Sequence, residues 1–321
     1  MTFSTPYLAP WWLPGGDAQT LYAALIADAG AVPAYRRERW ETPDGAFVDI
    51  DRVDAAAGSR LMVLFHGLEG NSSSHNARVL VHAFVRAGWS VAVAHFRGCS
   101  GVPNRLARAY HSGDSAEIEW MLARFAGQSR VPTVAVGISL GGNALLKYLG
   151  EAGDAAGNLI SAAVSVSAPL DLMAAGNALG KGFARIYSAA FLRTLKRKSA
   201  EKASRYPGAF DLEGMQRAMS LRDFDNVVTA PLHGFRDTDD YWTRASAKPL
   251  LRSISIPTLL MNARNDPFLP GQALPGGHEV SSTVEREFPE TGGHVGFVSG
   301  AFPGSFRWFS NRIITFADKH S

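Results

Sequence analysis

The sequence predicts an α/β fold in which a mostly parallel central sheet is flanked by helices and a helical cap is inserted late in the chain. Three observations carry this expectation. From about Arg60 onward, short apolar runs alternate with amphipathic helical patterns. One such run, Val134 to Ile138, passes through Gly137-Ile-Ser139-Leu-Gly141 into a helical pattern. The strand rhythm then breaks after Ser167-Ala168-Pro169 and resumes at Pro257.

Composition sets the outer limits. The 321 residues are 46% hydrophobic and 19% charged, a globular balance with enough chain for a sizeable core. No apolar run reaches the roughly 18 residues of a membrane span. The first 35 residues hold no Lys or Arg and are broken by Pro6, Pro10 and Pro14, so no secretory signal is read and a cytoplasmic location is expected. Cys99 is the single cysteine, which excludes an intrachain disulfide and a thiolate metal cluster. The net charge of +3 and the absence of basic runs interleaved with stacking aromatics argue against nucleic acid as a partner. The nine histidines show no H-E-x-x-H or comparable spacing, so no metal site is predicted.

The elements follow in order. Residues 1–35 form an N-terminal strap, in which Trp11 and Trp12 between prolines are expected to pack on the body. Arg36 to Thr42 and Ala46 to Val53 alternate as strands around the turn residues Pro43-Asp44-Gly45. Arg60 to Phe65 is continuously apolar, as a strand buried on both faces should be. Ser74 to Ala87 is a helix ended by Gly88, Trp89 to Phe96 a strand, Ser115 to Phe125 a helix, and Thr133 to Ile138 the strand leading into Ser139. A helix to about Gly150 and a strand over Leu159 to Val166 complete this half. The segment 170–254 is the cap. Within it Phe183, Ile186, Tyr187, Ala190, Phe191 and Leu195 recur at helical spacing, with Lys196-Arg197-Lys198 placed at the helix end, where cations suit the dipole. That basic cluster reads as a solvated face, with a docking surface for anionic lipid or substrate as the second reading. Pro257 to Met261, Thr283 to Phe288 and a helix over Phe302 to Asp318 close a core made of 1–169 and 255–321.

In such a sheet, ligands bind outside the carboxyl ends of the strands, so functional side chains should stand just after strands. Ser139 does. Asp266 follows a strand in Asn265-Asp-Pro-Phe, and His294 follows the next in Gly292-Gly-His-Val-Gly. A serine hydroxyl is barely ionised at neutral pH, so a histidine must take its proton and a carboxylate must hold that imidazole. Oxyanion donors are expected from the backbone N–H of Leu140, at the start of a helix, and of Leu68, in His66-Gly-Leu-Glu-Gly70. His66 is expected to be a structural hydrogen bonder. Asp171 and His278 rank below Asp266 and His294 as acid and base, because His278 precedes the last strand and Asp171 has only its position in its favour. Phe183, Tyr187, Phe191 and Phe210 of the cap either line a substrate pocket or cover the sheet.

Several segments together resemble a known family. Gln19-Thr20-Leu-Tyr, His66-Gly-Leu-Glu-Gly, His95-Phe-Arg-Gly-Cys-Ser-Gly-Val-Pro-Asn-Arg105, Tyr110-His-Ser-Gly-Asp114, Gly137-Ile-Ser-Leu-Gly-Gly-Asn143, Ser167-Ala-Pro-Leu-Asp171 and Asn265-Asp-Pro-Phe span nearly the whole chain. The chain resembles the YheT-type α/β-hydrolases, bacterial relatives of the eukaryotic ABHD ester and lipid hydrolases. The resemblance implies an α/β-hydrolase fold, a triad of Ser139, Asp266 and His294, a cap after Asp171, and a packing place for Cys99. Asp114 and Arg97 are expected to tie loops together. The chain departs from the family at Gly16-Asp17-Ala18, where Pro-His-Leu is expected before Gln-Thr.

The function expected is hydrolysis of carboxylic esters through an acyl-serine, without cofactor, on a small-molecule ester that is lipid-like if the cap presents an apolar pocket; peripheral membrane contact is compatible with this. Thioester hydrolysis and acyl transfer use the same triad. The reading of a different class is a binding protein that keeps the geometry without turnover.

Overall fold

The computed structural model describes residues 5–321. Eight strands form one sheet in the order β1-β2-β4-β3-β5-β6-β7-β8. The strands β1 (Arg36–Glu41) and β2 (Phe47–Val53) make the expected antiparallel hairpin, with Trp40 opposite Val48, and β2 pairs antiparallel with β4 (Ser90–Ala94). All other pairings are parallel: β3 (Leu61–Phe65) with β4 and with β5 (Thr133–Ile138), β5 with β6 (Ala162–Val166), β6 with β7 (Thr258–Met261), and β7 with β8 (Val284–Glu287). Because β3 lies between β4 and β5, the connections on its two sides leave in opposite directions. That switch opens a crevice at the strand ends, where Phe65 and Gly137 share a register.

The alternation of side chains along the strands builds two cores, one on each face. Val63, Phe65 and Ala135 pack with α3 (Ser115–Gln128) and α4 (Leu140–Ala152). Met62, Leu64 and Val136 pack with α2 (His75–Arg86) and with Phe309, Ile313 and Phe316 of the last helix, α11 (Arg307–His320). Both layers exclude water from β3 and β5, which explains their unbroken apolar runs.

Two element starts move by three residues or more, for local reasons. β6 starts at Ala162 rather than Leu159, because the Leu159 and Ile160 N–H groups both close a turn on the Ala156 carbonyl. The last helix starts at Arg307 rather than Phe302. Residues 301–304 instead form a turn closed by Gly304 N–H to the Ala301 carbonyl, beside a bridge between Ser299 and Ser305.

The strap carries a short helix, α1 (Gly16–Leu25), and only half of its tryptophan pair packs as expected. Trp12 lies against Tyr22 and Phe302 and donates to the Gly300 carbonyl, whereas Trp11 is 91% exposed. The two residues lie in a turn that carries Trp12 toward the body and leaves Trp11 in solvent.

Between β6 and β7 the chain is helical: α5 (Leu172–Leu179), α6 (Arg185–Arg205), α7 (Leu212–Arg217), α8 (Leu221–Phe224), a π-helical turn over Asp225–Thr229, α9 (Ala230–Leu232) and α10 (Thr238–Ala245). Leu192, Met215, Ala218, Phe224 and Val228 give this segment a small core of its own. The Lys196-Arg197-Lys198 cluster is not at a helix end. α6 runs on to Arg205, and Lys198 turns inward to an ion pair with Glu69 at 2.9 Å, so the cluster is only partly a solvated face. Among the described residues, no helix is long and apolar enough to cross a membrane.

Candidate active site

Ser139 sits at the turn between β5 and α4 with φ 51° and ψ −118°, a conformation L-residues avoid. The surroundings hold it there. Its N–H donates to the Val166 carbonyl at 2.8 Å, and the helix after it is pressed against β3: a methyl on Gly141 would stand 2.4 Å from the Phe65 carbonyl oxygen. A methyl on Gly137 would stand 2.6 Å from Gly141 and Gly142, so both flanking glycines are required by close approach. The described non-glycine residues at positive φ are Glu69, Ser139, Ser167 and Val295. Each follows a strand or adjoins a proposed functional residue, and each costs of order 1–3 kcal/mol. Strain is concentrated at one rim of the sheet.

Three side chains predicted from distant parts of the chain meet at that rim. His294 Nε2 is 3.0 Å from Ser139 Oγ, and His294 Nδ1 is 2.9 Å from Asp266 Oδ2. The Asp266 carboxylate is fully buried, and its other oxygen accepts the Phe268 N–H at 2.7 Å. Phe268 also stacks on the imidazole, with centroids 3.9 Å apart and planes 16° apart, which restricts rotation of the ring. Phe268 was not singled out from sequence. Its only signal was its place two residues after an acid in a proline-bounded loop.

The loop bearing His294 is held by the N-terminal arm. Thr20 Oγ1 accepts the His294 N–H at 2.8 Å, and Gln19 Oε1 accepts from Gly292 N–H at 2.8 Å and from Asn265 Nδ2 at 3.0 Å. Asn265 Oδ1 in turn accepts the Gly293 N–H at 3.0 Å, and Ser167 Oγ accepts the Val295 N–H at 3.0 Å. The departure at Gly16-Asp17 fits this clamp. A methyl on Gly16 would lie 2.0 Å from the Asn265 carbonyl oxygen, and Asp17 accepts the Tyr187 hydroxyl at 3.0 Å. Gly16→Ala is therefore expected to lower stability by about 1–3 kcal/mol through overpacking against backbone that has no free direction. Thermal unfolding checks this beside Gly127→Ala, whose added methyl meets nothing within 4 Å inside α3 and should raise the melting temperature by a few degrees at most, through helix propensity.

On the opposite side of Ser139, a methyl on Gly67 would stand 3.3 Å from Ser139 Cβ, so the His66–Gly70 loop lies directly against the serine. Among the described residues, neither the Leu68 nor the Leu140 N–H has a protein acceptor. Both residues line the same cavity as Ser139. Glu69 fixes this loop: its N–H donates to the Tyr110 hydroxyl at 2.8 Å, that hydroxyl donates back to Oε1 at 2.8 Å, and Lys198 pairs with Oε2 at 2.9 Å. Tyr110 is braced by stacking on Phe96, with planes 11° apart.

His66 is buried, its Nδ1 lies 2.8 Å from the Gly67 carbonyl and its Nε2 accepts the Phe96 N–H at 3.1 Å. Burial pushes its pKa down to about 3, so it stays neutral with both ring nitrogens engaged. Asp171 caps α5 by accepting the Ala174 N–H at 2.9 Å. His278 lies in a short turn (Gly277–Glu279) ahead of β8. Cys99 is buried, which pushes its thiol up to about 12 and leaves it without nucleophilic character. Arg97 bridges Glu117 at 2.5 Å and Asp44 at 2.8 Å, and Arg108 pairs with Asp114 at 2.7 Å, so these charges join loops. Asn143 carries no signal in the sequence beyond its place in Gly137–Asn143. It is buried and donates to the Ser112 and Ala245 carbonyls, both at 2.8 Å, while accepting Ala247 N–H at 3.0 Å, which anchors α4 to the end of the helical segment.

The cavity over Ser139 has a volume of about 520 Å³. Of the aromatic residues expected to line it, Phe191 does so, packed edge to face on Phe268 with centroids 5.9 Å apart. Phe183 is 50% exposed, and Tyr187 is buried between Phe268 and the arm, so these two lie outside the cavity wall. Phe210 packs on the small helical core.

Comparison with known proteins identifies the family of the fold. The family described as alpha/beta hydrolase fold matches residues 60–301. The Escherichia coli K12 protein named "Putative esterase YheT" is 40% identical over 86% of this chain and 82% of its own. Human "Phospholipase ABHD3" is 28% identical over 92% of this chain and 75% of its own. Among solved structures, an esterase of Pyrococcus furiosus superposes with a TM-score of 0.58 at 14% identity, covering 98% of this chain and 96% of that one, a likeness of fold alone. The chain belongs to the alpha/beta hydrolase fold family, in its YheT-type branch.

Proposed function

We propose that this protein is a serine hydrolase of carboxylic esters that works through an acyl-serine intermediate, with a small-molecule or lipid-like ester as substrate. The observation that carries the reading is the relay Asp266–His294–Ser139, with successive contacts of 2.9 and 3.0 Å. Relatives named esterase and phospholipase support the same chemistry.

In this reading the buried Asp266 carboxylate holds the proton on His294 Nδ1, which leaves Nε2 free to accept from Ser139. As Oγ attacks the ester carbonyl, its proton passes to Nε2, and the carbonyl oxygen becomes an oxyanion received by the Leu68 and Leu140 N–H groups. Each such donor is worth roughly 3–4 kcal/mol in the transition state. Collapse breaks the bond to the alcohol, which leaves with the proton from Nε2. Water then repeats the sequence on the acyl-serine, giving the acid and free Ser139. Segment 170–254 serves as the cap that shields these steps from bulk water, and Phe191 is the cap aromatic that contacts substrate.

An active-site-directed fluorophosphonate should label the wild type stoichiometrically and leave Ser139→Ala unlabelled, and p-nitrophenyl esters should yield free acid even with a competing alcohol present. Absence of labelling would make the protein a binder with hydrolase geometry; transfer of the acyl group to the alcohol in preference to water would make it an acyltransferase.

A further inference from the structure

The cavity over Ser139 changes character along its length, and α6 measures the change. Phe191, Leu195, Lys198, Lys202 and Arg205 follow at helical spacing and all line it. Phe191 marks the end near the reacting groups, because it touches Phe268, which stacks on His294. Lys202 stands eleven residues later on the same face, about 16 Å further at 1.5 Å per residue. Toward α5 and α8 the walls are apolar, with Leu172, Leu179, Leu221, Phe224 and Val228. Toward the end of α6 the lining holds five cations: Arg97, Arg197, Lys198, Lys202 and Arg205.

Three of these cations are already neutralised. Arg97 is held by Glu117 and Asp44, Lys198 by Glu69, and Arg205 by Glu201 at 2.8 Å. Asp225, the remaining acid in the lining, accepts Trp242 Nε1–H at 2.8 Å and the Thr229 hydroxyl at 2.6 Å. Among the described residues, Lys202 and Arg197 are therefore the lining cations with no carboxylate within 4.0 Å. The half-buried Lys202 ammonium is oriented by the Leu106 and Arg108 carbonyls at 3.2 and 3.4 Å. Burial, Arg97 and Arg205 together pull its pKa down to about 8. A positive charge kept under those conditions is one that a bound anion would relieve.

We propose that Lys202 and Arg197 form an anion subsite at the far end of the cavity, and that the esters this protein takes have an apolar body and a phosphate or carboxylate remote from the scissile bond. The half-buried ammonium of Lys202 and the exposed guanidinium of Arg197, five residues earlier on α6, both belong to the lining, and a point charge with a fork-shaped donor suits either group. The ester part of this inference rests on Ser139 being the nucleophile; the anion subsite does not.

Two measurements keep these apart. Binding of dodecyl phosphate to the wild type, followed by calorimetry below its micelle concentration, should weaken at least tenfold in Lys202→Met/Arg197→Met and with added salt, while Lys202→Arg stays within about threefold. In turnover, p-nitrophenyl dodecanoate is compared with the same ester carrying a terminal carboxylate or a terminal phosphate. The ratio of kcat/KM, anionic over neutral, should exceed ten in the wild type and fall toward one in the double variant, the larger ratio naming the preferred anion. Equal dodecyl phosphate affinities in wild type and double variant, or a wild-type ratio near one for both anions, would overturn the subsite. Binding that is lost in the double variant, with no ester turned over, would keep the subsite and overturn the esterase reading.

Discussion

Ser139→Ala is expected to lower kcat for a p-nitrophenyl ester by about a million-fold, His294→Ala by nearly as much, and the double variant by no more than either alone. Non-additivity follows from the relay. The serine hydroxyl, 3.0 Å from Nε2, attacks only as its proton leaves, so removing donor or acceptor removes the same step. In the proposed mechanism, what survives in each variant is water attacking a carbonyl still polarised by the Leu68 and Leu140 amides, a residual of about 10³–10⁴ over the uncatalysed rate. Stability should barely change in Ser139→Ala, because the strained φ of 51° is imposed by the packing of Gly137 and Gly141 and is equally unfavourable for alanine. Steady-state kinetics and thermal melts on the three variants check both halves. His294→Ala retaining more than a tenth of wild-type turnover would show that another group takes the proton.

The parts of this molecule legible in its sequence are those whose cause is local. Apolar periodicity placed β3, β5 and α2 to within a residue or two, since burial on one stripe or on both faces repeats at the element's own period. Ser139 was legible because the turn that exposes it demands glycines two positions away on each side. Asp266 and His294 were legible through the rule that functional groups follow strand ends, together with their order in the chain. The clamp on the histidine loop was not. Gln19 meets Gly292 across 273 positions, and nothing in Gln19-Thr20 itself announces a partner so distant. The end of α6 was misplaced for a related reason. A basic triplet looks like a helix terminus while its destination is unknown, and here Lys198 is spent inward on Glu69.

Asp266→Asn is expected to lower kcat by about 10⁴-fold with little loss of stability, whereas Asp171→Asn should leave turnover within about twofold. The contrast comes from what each carboxylate accepts. Asp266 takes the Phe268 N–H on one oxygen at 2.7 Å and the His294 Nδ1–H on the other at 2.9 Å. Asparagine has the same size but one acceptor oxygen. The Phe268 amide keeps that oxygen, so the asparagine NH₂ is turned toward His294 Nδ1 and forces the imidazole proton onto Nε2. An Nε2 that carries a proton cannot accept one from Ser139, and no carboxylate remains to stabilise the imidazolium. Asp171, by contrast, accepts a single bond from Ala174 N–H at the start of α5, and asparagine caps a helix as well as aspartate does. Turnover of a p-nitrophenyl ester by the two variants, with melts to exclude unfolding, decides between the acids: a large loss in Asp171→Asn and a small one in Asp266→Asn would move the carboxylate role from the buried loop after β7 to the first helix after β6.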